Sequence, residues 1–419
     1  MKTILIITSL LLFLSCNAKA SVWTATRNWT PSDEQAYSNF IATQVEPNFF
    51  KDLNLPFSKL KLDCADAAYA LRIYFSKING LPFAVGERAI NNATTKFDYI
   101  ADENRRLSEF IAWAVDNSGT ENLSSADSFP VAIMAIQPGD MFLYKIETAP
   151  GTFTRHTYLI KNINSNGTFD VMYSTQARRD AGMPMNRLKQ YSFPNPKWAP
   201  NHTSQDDINQ WGFKRFRTPD QIRKSFTQIP NANLEQYNLA LQYGDQFFDY
   251  VKNARTTVKE SPTEALNRMY DFVCHELTDR AEIVAMAIDV RAKTNNACMD
   301  PATYDTYSTP SRDGGILGSY NKLFSQAEKY KQTGEWQNIE ESLKLKVDGI
   351  FNPSRTANVT KVIQSSCGFQ KSQGLDTDMA RFYEALLRGQ VSNHPNDSLL
   401  NRWGIITSST AATTTCPRY

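Results

Sequence analysis

Apolar residues recur at helical spacing in three segments of the first 120 residues. The clearest segment starts at Asp63, where Ala67, Ala68, Leu71, Phe75 and Ile78 repeat at intervals of mostly three or four residues. It ends at Asn79-Gly80, a sequence typical of a helix C-terminus. Two further helices are predicted over residues 31–44, with Thr30 as N-cap, and over about 103–115.

Strand-like patterns replace the helical spacing after residue 137. Short apolar runs predict strands at residues 141–144, 157–160, 169–174 and 211–216. Residues 164–167, Asn-Ser-Asn-Gly, predict a tight hairpin turn, since Asn-Gly favours type I′ geometry. Residues 184–207 contain four prolines and are predicted to form an irregular crossing segment.

Helical spacing returns beyond Asp220 and continues through most of the remaining chain. The predicted helices cover residues 233–251, 262–291, 320–331, 335–347 and 376–388, with a loop expected over 308–318. We therefore predict an α+β fold. Its N-terminal domain, residues 21–217, carries an antiparallel sheet, and a mainly α-helical domain covers residues 218–419.

The first twenty residues are expected to be a signal peptide rather than part of the fold. Lys2 precedes a short apolar run, and Ala18-Lys19-Ala20 is a small-residue cleavage site. Leu14-Ser15-Cys16 also resembles a lipoprotein signal, which leaves lipidation of Cys16 as an alternative. Both alternatives predict an exported protein, periplasmic or secreted, in a compartment that permits disulfides. No later apolar run is long enough to predict a transmembrane segment.

The overall composition excludes several classes of protein. The chain of 419 residues is 41% hydrophobic and 21% charged, which does not fit a disordered, collagen-like or coiled-coil protein. Its 45 Lys and Arg against 43 Asp and Glu give a net charge of +2, so no nucleic-acid partner is expected. The oligomeric state is left open.

Six cysteines divide into groups with different predicted roles. With Cys16 in the signal region, four of the others lie in the C-terminal half and predict two disulfides: Cys274, Cys298, Cys367 and Cys416. Three pairings are possible, and Cys274–Cys298 with Cys367–Cys416 is our expectation because it closes the shortest loops. Cys64 is left without a partner, so it is either a reactive thiol or a small buried apolar residue.

Cys64 and His156 are the candidate catalytic pair. Cys64 follows the predicted N-cap Asp63, and the unpaired amides and positive dipole at a helix start favour a thiolate. The same amides can stabilise an oxyanion. Among the four histidines, His156 is the one that opens a predicted strand, where it would act as the base.

These segments resemble a known superfamily. Asp63-Cys64-Ala65-Asp66, its helix and Gly80-Leu81-Pro82 look like the nucleophile segment of NlpC-type cell-wall cysteine peptidases. Pro138-Gly139-Asp140 with the following strand, and His156-Thr157-Tyr158-Leu159-Ile160, are similar to the later motifs of the same family. The resemblance covers about residues 60–176.

Two details set this chain apart from that family. Ala65-Asp66 replaces the usual Ser-Gly, and this pattern is closer to the transglutaminase-like branch of the papain-like superfamily. In addition, Ser58 stands where papain relatives keep an oxyanion-stabilising Gln. The resemblance implies a papain-like domain in which Cys64 attacks an amide bond of a peptide, with peptidoglycan stem peptides as the expected substrate. A non-catalytic envelope-binding module and an acyl transferase are the alternatives.

The third catalytic position depends on the register of the predicted hairpin. A two-residue loop would put Tyr173 and Thr175 on the face of His156, whereas a three-residue loop would put Ser174 and Gln176 there. Ser174 is our prediction, with Gln176 and Asp170 as alternatives. Asp170 has the right chemistry to orient an imidazole, but it would lie ~13 Å away along the strand.

Other polar residues receive less specific roles. Asp66 is expected to be a first-turn helix charge and Arg155 a solvated side chain. His275-Glu276 begins a zinc-protease motif, but position 279 is Asp rather than His, so no metal is predicted. No cofactor is expected either, since the sequence contains no phosphate-binding glycine motif.

Overall fold

Six strands form one antiparallel sheet at the centre of the N-terminal half. The computed structural model describes residues 21–149, 151–200, 210–370, 374–405 and 414–419, so the predicted signal peptide and Cys16 lie outside the described residues. The strands are β1 Ala84–Val85, β2 Ile90–Asn91, β3 Ser128–Pro130, β4 Met141–Ala149, β5 Thr152–Ile163, β6 Phe169–Tyr173, β7 Asn186–Tyr191 and β8 Gly212–Phe216. The main sheet has the order β3-β8-β4-β5-β6-β7, while β1 and β2 pair separately.

Alternating side chains divide the sheet into two apolar faces. Met141, Leu143, Leu159 and Met172 point to one side, which we call the helix face, and pack against the N-terminal helices. Phe142, Tyr144, Tyr158 and Tyr173 point to the other side, which we call the cavity face. The N-terminal helices are α1 Pro31–Gln44, α2 Cys64–Ile78, α3 Glu103–Asp116, α4 Thr120–Ser125 and α5 Gln176–Asp180.

Helices make up the regular structure of the described C-terminal residues. They are α6 Glu235–Tyr243, α7 Phe247–Arg255, α8 Pro262–Lys293, α9 Pro301–Tyr307, α10 Pro310–Thr333, α11 Glu341–Phe351, α12 Ala357–Ser366, α13 Met379–Leu387 and α14 Leu399–Arg402. The pair α6 and α7 packs on the cavity face of the sheet, and α8 with α10 to α13 encloses a separate apolar core. The predicted α+β class with a helical C-terminal region is therefore confirmed. Across the described ranges, no helix has both the length and the apolar character needed to cross a membrane.

The two disulfides join the four expected cysteines, but our expected pairing is wrong. Cys274 pairs with Cys367 and Cys298 with Cys416, at Cα–Cα distances of 5.7 and 5.5 Å. Cys274 lies inside α8, 19 residues before Lys293, which is ~29 Å along a helix. Cys298 lies beyond that far end, and a disulfide needs Cα atoms within about 7 Å. Cys64 is the free cysteine among the described residues.

Two predictions of irregular structure are wrong. Residues 308–318 are not a loop, because α10 begins at Pro310 and contains three glycines from that stretch. Residues 184–207 include β7, which pairs with β6. A register shift between Phe169 and Val171 and a positive φ of 53° at Gln190 interrupt the alternation of β7, so its sequence lacks a period of two.

Candidate functional site

Cys64 is the first residue of α2, as the sequence predicts. Asp63 caps the helix, its Oδ1 accepting hydrogen bonds from the amides of Ala65 and Asp66 at 3.1 and 3.3 Å. Asp66 completes the capping box through its bond to the Asp63 amide at 3.0 Å. Burial, together with the charge of Asp63, raises the pKa of Asp66 to about 7. Among the described residues, no acceptor bonds the Cys64 amide, which is therefore available to a ligand.

The Cys64 thiol lies against strand β5. It is half-buried, accepts a hydrogen bond from the Thr157 amide and lies 4.0 Å from the hydroxyl of Thr120 in α4. Burial raises the pKa of the thiol to about 12, and the Asp63 carboxylate adds to this shift because it repels a thiolate. In this arrangement the group is a neutral thiol at physiological pH.

His156 points away from α2, onto the cavity face. Its ring lies 4.7 Å from that of Tyr158, 5.3 Å from Tyr173 and 5.9 Å from Tyr144, measured between centroids. Burial lowers the pKa of the imidazole to about 3, and the nearby charge of Arg312 lowers it further. The ring has no hydrogen-bond partner in the described part of the chain. His156 is therefore neutral, with both nitrogens available.

Strand alternation separates the two predicted catalytic side chains. Thr157 and Arg155 point to the helix face, where Arg155 is exposed, as expected, and pairs with Glu121 of α4 at 2.6 Å. His156 lies between them in sequence and so points to the opposite face. Cys64 and His156 line one cavity, and the sulfur touches the amide that follows His156. No hydrogen bond joins sulfur and imidazole.

None of the three candidates for the third catalytic position lies on the imidazole. The Ser174 hydroxyl is buried and has no hydrogen-bond partner among the described residues, and Asp170 pairs with Arg187 at 2.8 Å. The Gln176 amide bonds to Asp180 at 3.1 Å.

The register of the hairpin explains this result. Asn164 pairs with Thr168, so the loop has the three residues 165–167. A bulge between Ile160 and Asn162 then shifts the register by one residue, so Leu159 lies opposite Met172. The bulge thus returns Tyr173 to the face of His156 and directs Ser174 to the helix face.

A large cavity lies between the sheet and the helices α8, α9 and α10. Its volume is about 720 Å³, within the range of small-molecule sites. The cavity face supplies an aromatic wall that we call the tyrosine wall: Tyr144, Tyr158, Tyr173, Tyr191 and Trp198. Tyr144 and Trp198 stack within it at a centroid distance of 4.6 Å. Helices α8, α9 and α10 form the opposite wall.

The opposite wall contributes polar residues that sequence reasoning did not select. Asp279 accepts hydrogen bonds from the hydroxyl of Tyr173 and from Asn186. Glu276 is half-buried, and its Oε2 is covered and has no hydrogen-bond partner in the part of the chain that the structure describes. Burial raises the pKa of Glu276 to about 8, and the charge of Asp279 contributes. The sequence holds a signal, since Phe272, His275, Glu276 and Asp279 form a polar and aromatic face of α8, but nothing in the sequence indicates that this face meets the sheet.

Comparison with known proteins adds nothing to this geometry. No family model, no curated protein and no solved structure matches the chain.

Proposed function

We propose that the protein is an exported binding module on a papain-like scaffold, which holds a small ligand in the cavity between its sheet and its C-terminal helices. The cavity itself carries the proposal: about 720 Å³, with an aromatic wall facing a polar one. The signal-peptide pattern and two disulfides support a location in the periplasm or outside the cell.

The state of the two predicted catalytic groups favours binding over catalysis. An activated cysteine needs a lowered pKa or an adjacent base. Burial instead raises the pKa of Cys64 to about 12, and among the described residues the hydrogen-bond partners of its sulfur are the Thr157 amide and the Thr120 hydroxyl, neither of which is a base. The imidazole lies on the other face of β5 without an orienting partner in the described part of the chain. A neutral thiol and a neutral imidazole can serve as parts of a ligand-binding wall.

Filling the cavity tests this proposal. Gly315 of α10 lines the cavity, and a Cβ built there meets only the Glu276 carboxylate, at 3.5 Å. Gly315→Trp should therefore place an indole in the cavity, and Gly318→Trp is the matched control, because Gly318 does not line it and has open space. A fragment library screened by ligand-observed NMR should yield hits that Gly315→Trp abolishes and Gly318→Trp retains.

A folding control and a second blocking variant complete this test. Circular dichroism checks that each variant is folded, and Ala302→Trp, an exposed residue at the cavity wall on α9, offers a second way to block it. Fragment hits that survive both blocking variants, or a screen with no hits in the wild-type protein, would contradict the proposal.

A cysteine hydrolase is the second candidate, favoured by the position of Cys64 within the same cavity as His156. In this mechanism the thiol proton passes to the imidazole while sulfur attacks an amide carbonyl, and the unpaired Cys64 amide donates to the oxyanion. The imidazolium then protonates the leaving amine. Water hydrolyses the resulting thioester and releases the acid, or an amine acceptor takes the acyl group in the transglutaminase-like variant.

This second candidate requires a rotated His156 and makes a separate prediction. Peptides, including peptidoglycan stem peptides, should be cleaved by the wild-type protein and not by Cys64→Ala or His156→Ala. Incorporation of a primary amine into the product would distinguish acyl transfer from hydrolysis.

A further inference from the structure

The N-terminus of α10 opens into the cavity beside His156. The hydroxyl of Ser311, in the first turn, lies 3.3 Å from that of Thr154, which shares a face of β5 with His156. The amides of Ser311 and Arg312 have no acceptor among the described residues. Because α10 is 24 residues long, the unpaired amides at its start carry the positive end of a substantial helix dipole.

Arg312 adds a full positive charge at the same place. It lines the cavity, and in the described ranges its guanidinium has no ion pair or hydrogen bond. The other arginines of the cavity wall are engaged: Arg155 with Glu121, Arg178 with Glu282 and Arg418 with Asn393. The charge of Arg312 lowers the pKa values of His156 and Tyr173 after the larger effects of burial and other neighbours, which places the guanidinium near the tyrosine wall.

His156 provides the second, independent feature. It is nine-tenths buried, lines the cavity and has no partner in the described part of the chain. A buried polar group normally finds a hydrogen-bond partner, so an unpaired imidazole facing a cavity indicates a missing acceptor or donor. In its neutral form one ring nitrogen is a donor that a ligand oxygen can use.

The acidic groups of the cavity wall do not neutralise this site. Asp63 caps α2, Asp279 is bonded to Tyr173 and Asn186, and Glu282 pairs with Arg178. Burial raises the pKa of Glu276 to about 8, which keeps most of this group protonated at neutral pH. Asp305 is exposed on α9. Asp313, the acidic residue in the first turn of α10, pairs with Arg280 at 2.5 Å, so the first turn keeps its positive potential.

We propose that Arg312, the first-turn amides of α10 and His156 form a receptor for the oxyanion of a ligand whose apolar body lies on the tyrosine wall. This inference rests on the proposed binding function and specifies its ligand class. A carboxylate and a phosphate ester share the required chemistry, since both accept paired hydrogen bonds from a guanidinium and from helix amides.

Three fluorinated probes of similar shape test the receptor by ¹⁹F NMR titration. 4-Fluorobenzoate and 4-fluorophenyl phosphate carry the oxyanion, and 4-fluorobenzamide is the neutral counterpart. At least one of the two anions should bind at least tenfold more tightly than 4-fluorobenzamide, and the relative affinities of the anions identify the preferred oxyanion. Arg312→Ala should weaken anion binding about tenfold or more, as expected for the loss of a charged hydrogen bond, and leave the amide unchanged.

Arg105→Ala is the matched control, since Arg105 is an exposed arginine of α3 whose side chain makes no ion pair among the described residues. It should leave all three affinities as they are. Equal binding of benzoate, phosphate and benzamide, unchanged anion binding in Arg312→Ala, or no anion binding at about 10 mM would overturn the proposal. Neutral fragments that still respond to Gly315→Trp would show in that case that the cavity binds ligands and that only the oxyanion receptor is wrong.

Discussion

The reactivity of Cys64 is a direct consequence of its surroundings. A helix start normally lowers the pKa of a cysteine, yet here burial and the Asp63 carboxylate raise it to about 12. Iodoacetamide reacts with the thiolate, so its rate at neutral pH should report the shift. Since Cys64 is half-buried on the cavity wall, the small reagent can reach it, and the pKa rather than access should limit the rate.

The size of the effect follows from two opposing factors. Raising the pKa from 9.0 to about 12 lowers the thiolate fraction at pH 7 about 1000-fold. A thiolate of higher pKa is also a better nucleophile, with a Brønsted coefficient of about 0.4–0.5, which recovers about 16- to 30-fold. Alkylation of the folded protein should therefore be about 30- to 60-fold slower than that of a free thiol.

The assay is a time course of alkylation at several pH values, followed by intact-mass measurement. Cys64→Ser should take up no label, because the four remaining described cysteines are in disulfides. The unreduced protein in denaturant should react at the rate of a free thiol. A folded protein that reacts at pH 7 as fast as a free thiol, or faster, would refute the reasoning and favour the cysteine hydrolase.

Three further predictions concern stability. The pKa of Glu276 is raised from 4.5 to about 8 in the folded state, so its ionisation should make the protein less stable as pH rises from 4.5 to 8. Glu276→Gln should remove this loss, so that the variant's free energy of unfolding exceeds that of the wild type by up to about 4 kcal/mol at pH 8 and by almost nothing below pH 4.5. Urea titrations at each pH measure the difference, and an unchanged pH dependence would contradict the assignment. Gly349→Ala should lower the free energy of unfolding by about 1–2 kcal/mol despite better helix propensity, because its Cβ would overlap Val359 and lie 2.9 Å from Ile363. Gly318→Ala has open space and should raise the free energy of unfolding by up to about 1 kcal/mol. Chemical denaturation compares the two variants, and equal effects would argue against this packing of α11 on α12. Replacing Cys298 and Cys416 by Ala should lower the free energy of unfolding by about 2–5 kcal/mol, since their disulfide spans 118 residues. Calorimetry measures this loss, and an unchanged melting temperature would contradict this pairing.

The sequence predicts most local elements because their signals are local. Asp63, the apolar spacing after it and Asn79-Gly80 set the bounds of α2, which the structure has as Cys64–Ile78. The central strands are found for the same reason, whereas the free thiol follows from the count of cysteines along the whole chain. Domain boundaries at 20 and 217 stay predictions, although α6 and α7 beyond residue 217 pack on the cavity face of the sheet.

The site escapes prediction because it depends on non-local geometry. One bulge in β5 changes which residues of β6 share a face with His156, and no local pattern marks that bulge. The disulfide pairing depends on the length of α8 rather than on the shortest loop. Arg312 and Glu276 line the same cavity as His156, but they lie more than 100 residues from it in the sequence, and no motif links them to it.

We infer that function resides in the cavity rather than in the thiol. Replacing the chromosomal gene with single variants in the organism of origin tests this inference, with the deletion strain as the reference. Gly315→Trp should reproduce the deletion phenotype, while Cys64→Ala and Gly318→Trp should behave as the wild type. A Cys64→Ala strain that matches the deletion, together with a Gly315→Trp strain that does not, would contradict it.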